Sequence, residues 1–174
     1  MRLFAALALP DAMRAELAAW AHALPADPAL RIVPEENLHV TLVFLGGLPA
    51  DDIDAIAAAV GGAARPLGPF AVSGAAWLPS PRRPGVLVAD LEAPSELAAL
   101  HADLLAALRP WHEPERRPLR PHVTVGRVRR GARLRSAEVA PPPALRFAAE
   151  ALVLFRSQLG RGGSRYEAVA RAPV

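Results

Sequence analysis

The sequence predicts an α+β fold built from two related lobes, and three observations predict it. Strand-like and helix-like segments alternate, yet several neighbouring strands can pair as hairpins, which favours α+β over a doubly wound parallel sheet. A short pattern, His-Val-Thr followed by an apolar residue, occurs twice, at 39–42 and 122–125. No linker divides the 174 residues, and the Pro-rich 141–143 segment is too near the C-terminus to separate domains. One domain over residues 1–174 is the expectation, consistent with a prior of roughly 150 residues per domain.

Each element has a local reason. Residues 2–8 read as a first strand. Asp11 is placed to cap a helix reaching about Leu24, with Leu17, Trp20, Ala21 and Leu24 on one face, and Pro25 and Pro28 stop it. Arg31 to Val33 can pair briefly as a strand. Asn37 to Leu45 is a stronger one, ended by Gly46-Gly47-Leu48-Pro49. Asp51 and Asp52 open a second helix, where acids suit the dipole, and Ile53, Ile56, Ala57 and Val60 keep helical spacing. Phe70 to Leu78 and Val86 to Leu91 read as strands around a Pro/Arg turn. Ser95 opens a third helix with Leu97, Leu100, Leu104, Leu105 and Leu108 on one face, and Pro110 ends it. His122 to Val128 is another strand, Gly131 to Pro143 is irregular, and Leu145 to Phe155 and Tyr166 to Val169 close the chain as strands.

Composition removes several classes of function. There is no Cys, which excludes a disulfide framework, a thiolate zinc site and cysteine catalysis. No apolar run approaches the ~18 residues of a membrane span. The apolar start, Met1 to Pro10, is short and runs into Asp11, so neither a signal peptide nor membrane attachment is expected, and the cytoplasm is the expected compartment. All 20 basic residues are Arg, and Ala exceeds a fifth of the chain, a bias shared with GC-rich coding. The net charge of +3 does not suggest a sequence-blind duplex binder. Its distribution says more: Arg116 to Arg135 holds eight Arg and no acid, a local field that attracts phosphate.

The doubled pattern carries the chemistry. The copies lie 83 residues apart, each after a Pro-containing segment, and a repeat spanning about half the chain suggests two related lobes. Side chains alternate along a strand, so His39 and Thr41 share one face, as do His122 and Thr124, while Val40, Leu42, Val123 and Val125 point to the core. Two lobes packed about a pseudo-twofold axis bring both His and both Thr to one groove. That set suits a phosphodiester. An imidazole titrates near pH ~6.5, so one can take a proton while the other gives one, each transfer contributing roughly 10²–10⁴ in rate. The two Thr hydroxyls can hold non-bridging oxygens. No metal or other cofactor is called for, since neither motif contains the acid or spacing of common metal sites.

At these residues the sequence resembles the two-histidine phosphoesterase superfamily, and within it the RNA 2′,3′-cyclic phosphodiesterases, also described as 2′–5′ RNA ligases. The resemblance runs over nearly the whole chain. It includes Arg2-Leu3-Phe4-Ala5-Ala6-Leu7, Asn37-Leu38-His39-Val40-Thr41-Leu42-Val43-Phe44-Leu45-Gly46 and Arg120-Pro121-His122-Val123-Thr124-Val125-Gly126-Arg127. It closes with Leu154 to Leu159 and Gly163 to Glu167. The resemblance implies two intertwined lobes with antiparallel strands lining a central groove and helices outside. It implies hydrolysis of an RNA 2′,3′-cyclic phosphate to a 2′-phosphomonoester without a metal. His39 then corresponds to the proton donor, His122 to the proton acceptor, and Thr41 and Thr124 to the phosphate-binding hydroxyls.

Further residues follow with less support from the pattern. Arg127 matches a basic position of the family and suits a substrate phosphate, but strict alternation turns it away from His122 unless a bulge or strand end lies near Gly126. Phe44 sits at the same offset after His39. It suits stacking on a base, while alternation sends it to the core. Tyr166 is open between a groove residue and strand packing. His101 borders an apolar helix face, His22 lies near a helix end, and His112 follows Trp111 in a polar loop. The expected partner is RNA ending in a 2′,3′-cyclic phosphate, or a cyclic nucleotide, acted on by a monomer. The alternatives are a cyclic phosphodiesterase for small nucleotides, a 2′–5′ ligase running the chemistry in reverse, and an RNA-end binding module. Binding alone does not need two imidazoles.

Overall fold

A computed structural model describes residues 1–113, 118–160 and 163–174. Arg116 and Arg117 of the basic stretch lie outside the described residues. The strands are β1 Arg2–Ala8, β2 Leu30–Ile32, β3 His39–Gly47, β4 Phe70–Ser80, β5 Arg83–Glu92, β6 His122–Val128, β7 Arg146–Phe147, β8 Ala151–Gly160 and β9 Gly163–Pro173. The helices are α1 Asp11–Ala23, α2 Ile53–Ala63 and α3 Glu96–Leu108.

These strands join one antiparallel sheet in the order β7-β4-β5-β6-β3-β1-β8-β9, with β2 added on β6. The order is symmetric about its centre. Four strands lie on each side, and the two that carry the repeated pattern, β6 and β3, are the inner neighbours. They are bridged at Val40↔Val123. The chain threads both halves: β1 and β3 share one half with the C-terminal β8 and β9, while β4, β5, β6 and β7 form the other.

One face of the sheet is covered. Leu3, Ala5 and Leu7 of β1, Val40 and Leu42 of β3, Leu87, Ala89 and Leu91 of β5, Val123 and Val125 of β6, and Leu152 and Leu154 of β8 pack into one core. Its other side is Met13, Leu17 and Trp20 of α1, Ile56 and Val60 of α2, and Leu97, Leu100, Leu104 and Leu108 of α3. Each Val, Leu, Ile or Met side chain among these contributes roughly 1.5–3 kcal/mol when removed from water. Among the described residues the opposite face carries no helix from this core, and both His-x-Thr pairs point there, each His and Thr half-buried and each pair separated by a fully buried valine.

The structure departs from the sequence expectations in particular places. Asp11 is the first helical residue rather than the cap; Pro10 precedes it in extended geometry, and the Asp11 carboxylate pairs with Arg14 instead. Leu24 and Leu105 are only partly buried against the core. The strand expected over Leu145 to Phe155 is two strands, because residues 146–147 pair with β4 and residues from Ala151 on pair with β1 and β9. The last strand is longer than Tyr166 to Val169 and forms a hairpin with β8 along its whole length. The segment 137–140 is irregular yet pinned, since Trp77 and Trp20 donate their indole N–H groups to the Ala137 and Ala140 carbonyls at 2.8 and 3.1 Å. Among the described residues no helix is long and apolar enough to cross a membrane.

Candidate active site

The site starts from one antiparallel bridge. With Val40 opposite Val123, continuing the register by one residue sets His39 across from Thr124 and Thr41 across from His122. Both valines face the core and are fully buried, so the four polar side chains emerge together on the open face.

Both imidazoles are oriented by the same local device. His39 Nδ1 donates to the Asn37 carbonyl at 2.7 Å, and His122 Nδ1 donates to the Arg120 carbonyl at 2.7 Å. A carbonyl can only accept, so Nδ1 carries the hydrogen in each ring, and Nε2 is the atom left for chemistry. The Thr41 hydroxyl lies 2.9 Å from His39 Nε2 and donates to it when the ring is neutral. The supporting backbones are themselves held. Asn37 Nδ2 donates to the Ser164 carbonyl at 2.9 Å, tying the turn before β3 to β9. Arg120 makes a two-pronged pair with Asp90 at 2.9 and 2.7 Å, and Asp90 lies opposite His122 in the sheet. Asn37, Arg120 and Asp90 were not singled out by the sequence. An Asn or Arg two residues before a strand His is a weak signal, because the contact uses the backbone carbonyl.

The surroundings of the two rings differ. His39 is packed among aromatic rings, 4.9 Å from Phe4, 5.3 Å from Tyr166 and 6.0 Å from Phe155 between centroids. Its pKa falls from 6.5 to about 4. Burial is the main cause; the Asn37 carbonyl opposes it, and the positive charges of Arg127 and His122 push the same way. His39 is therefore neutral in the free protein at neutral pH.

Arg127 and Phe44 both reach the open face, and the same irregularity explains both. On β3, Thr41 pairs with Ala6 and Val43 with Ala5, so Leu42 is an extra residue. On β6, Thr124 pairs with Val88 and Gly126 with Leu87, so Val125 is an extra residue. Each is a β-bulge that resets the alternation. Two consecutive residues then face the core, Leu42 with Val43 and Val125 with Gly126, and the fifth residue after each His turns outward. The alternation that sent Phe44 to the core is thus overturned: the side chain is 57% exposed, with its ring 5.9 Å from that of Phe4. The bulge needed near Gly126 to turn Arg127 toward the site is present.

Tyr166 belongs to the aromatic cluster beside His39. Phe4 and Phe155 of this cluster were missed by the sequence reading, although Phe4 alternates with core residues Leu3 and Ala5 and so had to face outward. The other histidines sit elsewhere. His101 of α3 is half-buried; burial lowers its pKa and a hydrogen bond to the Leu42 backbone works against that. His22 is exposed near the end of α1, and His112 is half-buried in the turn after α3. Among the described residues no group of three or more His, Cys, Asp or Glu is placed to hold a metal.

Comparison with known proteins fits this geometry. The family model described as "2'-5' RNA ligase superfamily" matches residues 9–161. The RNA 2',3'-cyclic phosphodiesterase of Escherichia coli strain K12 is 30% identical over 178 aligned positions, covering 98% of this chain and 94% of the relative. The protein of that name from Methanothermobacter thermautotrophicus is 32% identical, covering 74% of this chain and 72% of its own. Among solved structures, TT0787 of Thermus thermophilus superposes with a TM-score of 0.86 at 27% identity, covering 99% of this chain and 97% of that one. E. coli LigT complexed with 3'-AMP superposes with a TM-score of 0.80 at 28% identity and the same coverage. With the family pattern spanning most of the sequence, the fold shared end to end and the paired His-x-Thr strands at the sheet's centre, the chain belongs to the 2′-5′ RNA ligase superfamily.

Proposed function

We propose that this protein hydrolyses the 2′,3′-cyclic phosphate at an RNA end to a 2′-phosphomonoester, using His39 and His122 as its acid and base. One observation carries the reading: two imidazoles, each with Nδ1 fixed by the carbonyl two residues earlier, present Nε2 on one face beside two Thr hydroxyls. Both halves of the site come from a single chain, so one copy suffices for the chemistry, and we read the protein as a monomer, one domain of two intertwined lobes. The composition fits a cytoplasmic enzyme.

His122 Nε2 takes a proton from water as its oxygen attacks phosphorus. The bond from phosphorus to O3′ breaks, and His39 Nε2 gives that oxygen its proton. Thr41 and Thr124 donate to the non-bridging oxygens, where charge builds in the transition state. Arg127 adds a fixed positive charge, and Phe44 offers an exposed ring for a base. The scheme needs no metal, because two side chains move both protons.

His39 must be protonated to act as the donor. A bound phosphate anion favours that form by attracting the imidazolium and offsetting the nearby Arg127 charge, against the burial that is the largest cause of the depression. The same depression favours a second reading, in which neutral His39 is the base and His122 the acid. The near-symmetry of the site permits either direction. Microscopic reversibility also lets a ribose hydroxyl replace water, which is 2′–5′ ligation.

The test is incubation with an oligoribonucleotide ending in a 2′,3′-cyclic phosphate, in EDTA. Conversion to the 2′-phosphate is expected. No conversion by folded protein, or release of a 3′-phosphate, overturns the reading.

A further inference from the structure

Arg31 of β2 lies directly opposite Arg127 of β6. Its neighbours Leu30 and Ile32 pack against the helix-side core, so Arg31 projects to the open face, the face that Arg127 reaches through the bulge. Directly opposed residues have Cβ atoms about 4.5–5.5 Å apart, and like charges there are destabilising. Val86 of β5 flanks Arg127 on its other side, so no acid from that strand offsets the pair. Neither guanidinium has a carboxylate within ion-pair distance among the described residues. Arg31 is also half-buried, so water solvates its charge incompletely.

This unrelieved pair lies on the same edge of β6 as the acid–base centre. β2 runs along β6 from Leu30↔Val128 to Ile32↔Gly126, and the Val33 N–H donates to the Val125 carbonyl at 2.9 Å. The chain then leaves the edge at 34–38 and returns at Val40↔Val123. The aromatic cluster of Phe4, Phe44, Phe155 and Tyr166 stands on the other half of the sheet. The open face is therefore polarised, aromatic on one side of the imidazoles and cationic on the other. A cyclic phosphodiester carries one negative charge, and two Thr, two His and Arg127 already serve it. A second Arg beyond them exceeds what one monoanion needs.

We propose that Arg31, with Arg127 lying between the two groups and shared by them, binds a second phosphate: the internucleotide phosphodiester that precedes the cyclic end. Paired guanidiniums suit this group, because they offer several donors to its two free oxygens. The inference rests on the reaction proposed above, and it makes Arg31 a specificity-determining residue that favours oligonucleotide ends over cyclic mononucleotides.

The test compares kcat/KM for a cyclic mononucleotide and for a trinucleotide ending in the same cyclic nucleotide. Wild-type protein is expected to favour the trinucleotide, and Arg31→Ala to lower that ratio about tenfold. The dependence of log kcat/KM on log salt for the trinucleotide is expected to become shallower by about 0.7, the loss of one single-strand phosphate contact. The Tm of Arg31→Ala should equal or exceed that of wild type, since a like-charge pair is relieved. An unchanged ratio, or an equal loss on both substrates, overturns the proposal. If wild-type protein turns over neither substrate, the reaction proposed above fails. Calorimetry with a trinucleotide ending in a 2′-phosphate then decides this one, because Arg31→Ala must still weaken its binding relative to a nucleoside 2′-phosphate.

Discussion

Val40 lies directly across from Val123, and this bridge joins the two halves of the sheet at the point where both His-x-Thr pairs emerge. Each valine is fully buried on the helix side. The two strands are therefore fixed by the core while their polar residues face the opposite way. Packing behind the site sets the geometry in front of it.

Val123→Ala should act through that packing. It leaves every polar group in place but opens a void beneath the bridge. We expect a loss of about 0.5–3 kcal/mol in stability, together with a lower kcat from a loosened separation of the imidazoles. Denaturant melts and steady-state kinetics check both. An unchanged kcat in a destabilised protein would separate the bridge from the chemistry.

The exposed Phe44 ring makes the opposite prediction. Being 57% exposed, it contributes little to the core. Phe44→Ala should leave the Tm nearly unchanged while weakening substrate binding by about 1–3 kcal/mol, the range for a base stacked on an aromatic ring. The readout is KM measured alongside thermal unfolding.

Thr41→Val and Thr124→Val remove one hydroxyl each at nearly constant volume. Loss of a donor aimed at developing charge costs about 10²–10³ in kcat. Both variants should fall in or near this range. Thr41→Val has an additional signature: the partner of His39 Nε2 is gone, so the ring's titration, followed by NMR, should shift.

The lowered pKa of His39 links stability to pH. The unfolded ring titrates near 6.5 and the folded ring near 4, so below about pH 6.5 the unfolded chain binds the extra proton. Stability from this source is complete above pH 6.5 and is lost as pH falls toward 4, up to about 3 kcal/mol in all. His39→Asn should flatten the stability profile within that window. An unchanged slope would show that His39 is not neutral in the folded protein.

The sequence made the centre of this site legible because strand periodicity is strict over three residues. His-x-Thr needs no tertiary information to put both side chains on one face, and duplication of the pattern implied two strands meeting. The periphery was less legible for a physical reason. Leu42 and Val125 are bulge residues, and a bulge is set by pairing with β1 and β5, far away in sequence. Strict alternation therefore misdirected Phe44 and left Arg127 conditional. Arg31 was passed over because a three-residue strand shows too little periodicity to define a face. The break between β7 and β8 was hidden similarly: the run from Leu145 to Phe155 is apolar enough for one strand, and its division depends on which partner each part meets.

The central claim is that two imidazoles act together on one phosphorus, and a double-mutant cycle tests it most directly. Single-turnover rates on a cyclic-phosphate-ended oligonucleotide are compared for wild type, His39→Ala, His122→Ala and the double variant, all shown to be folded. Each single change should cost about 10²–10⁴ in rate, with the double variant only slightly slower than either single one. Near wild-type turnover in either single variant, or fully additive losses in the double variant, would contradict a shared acid–base centre.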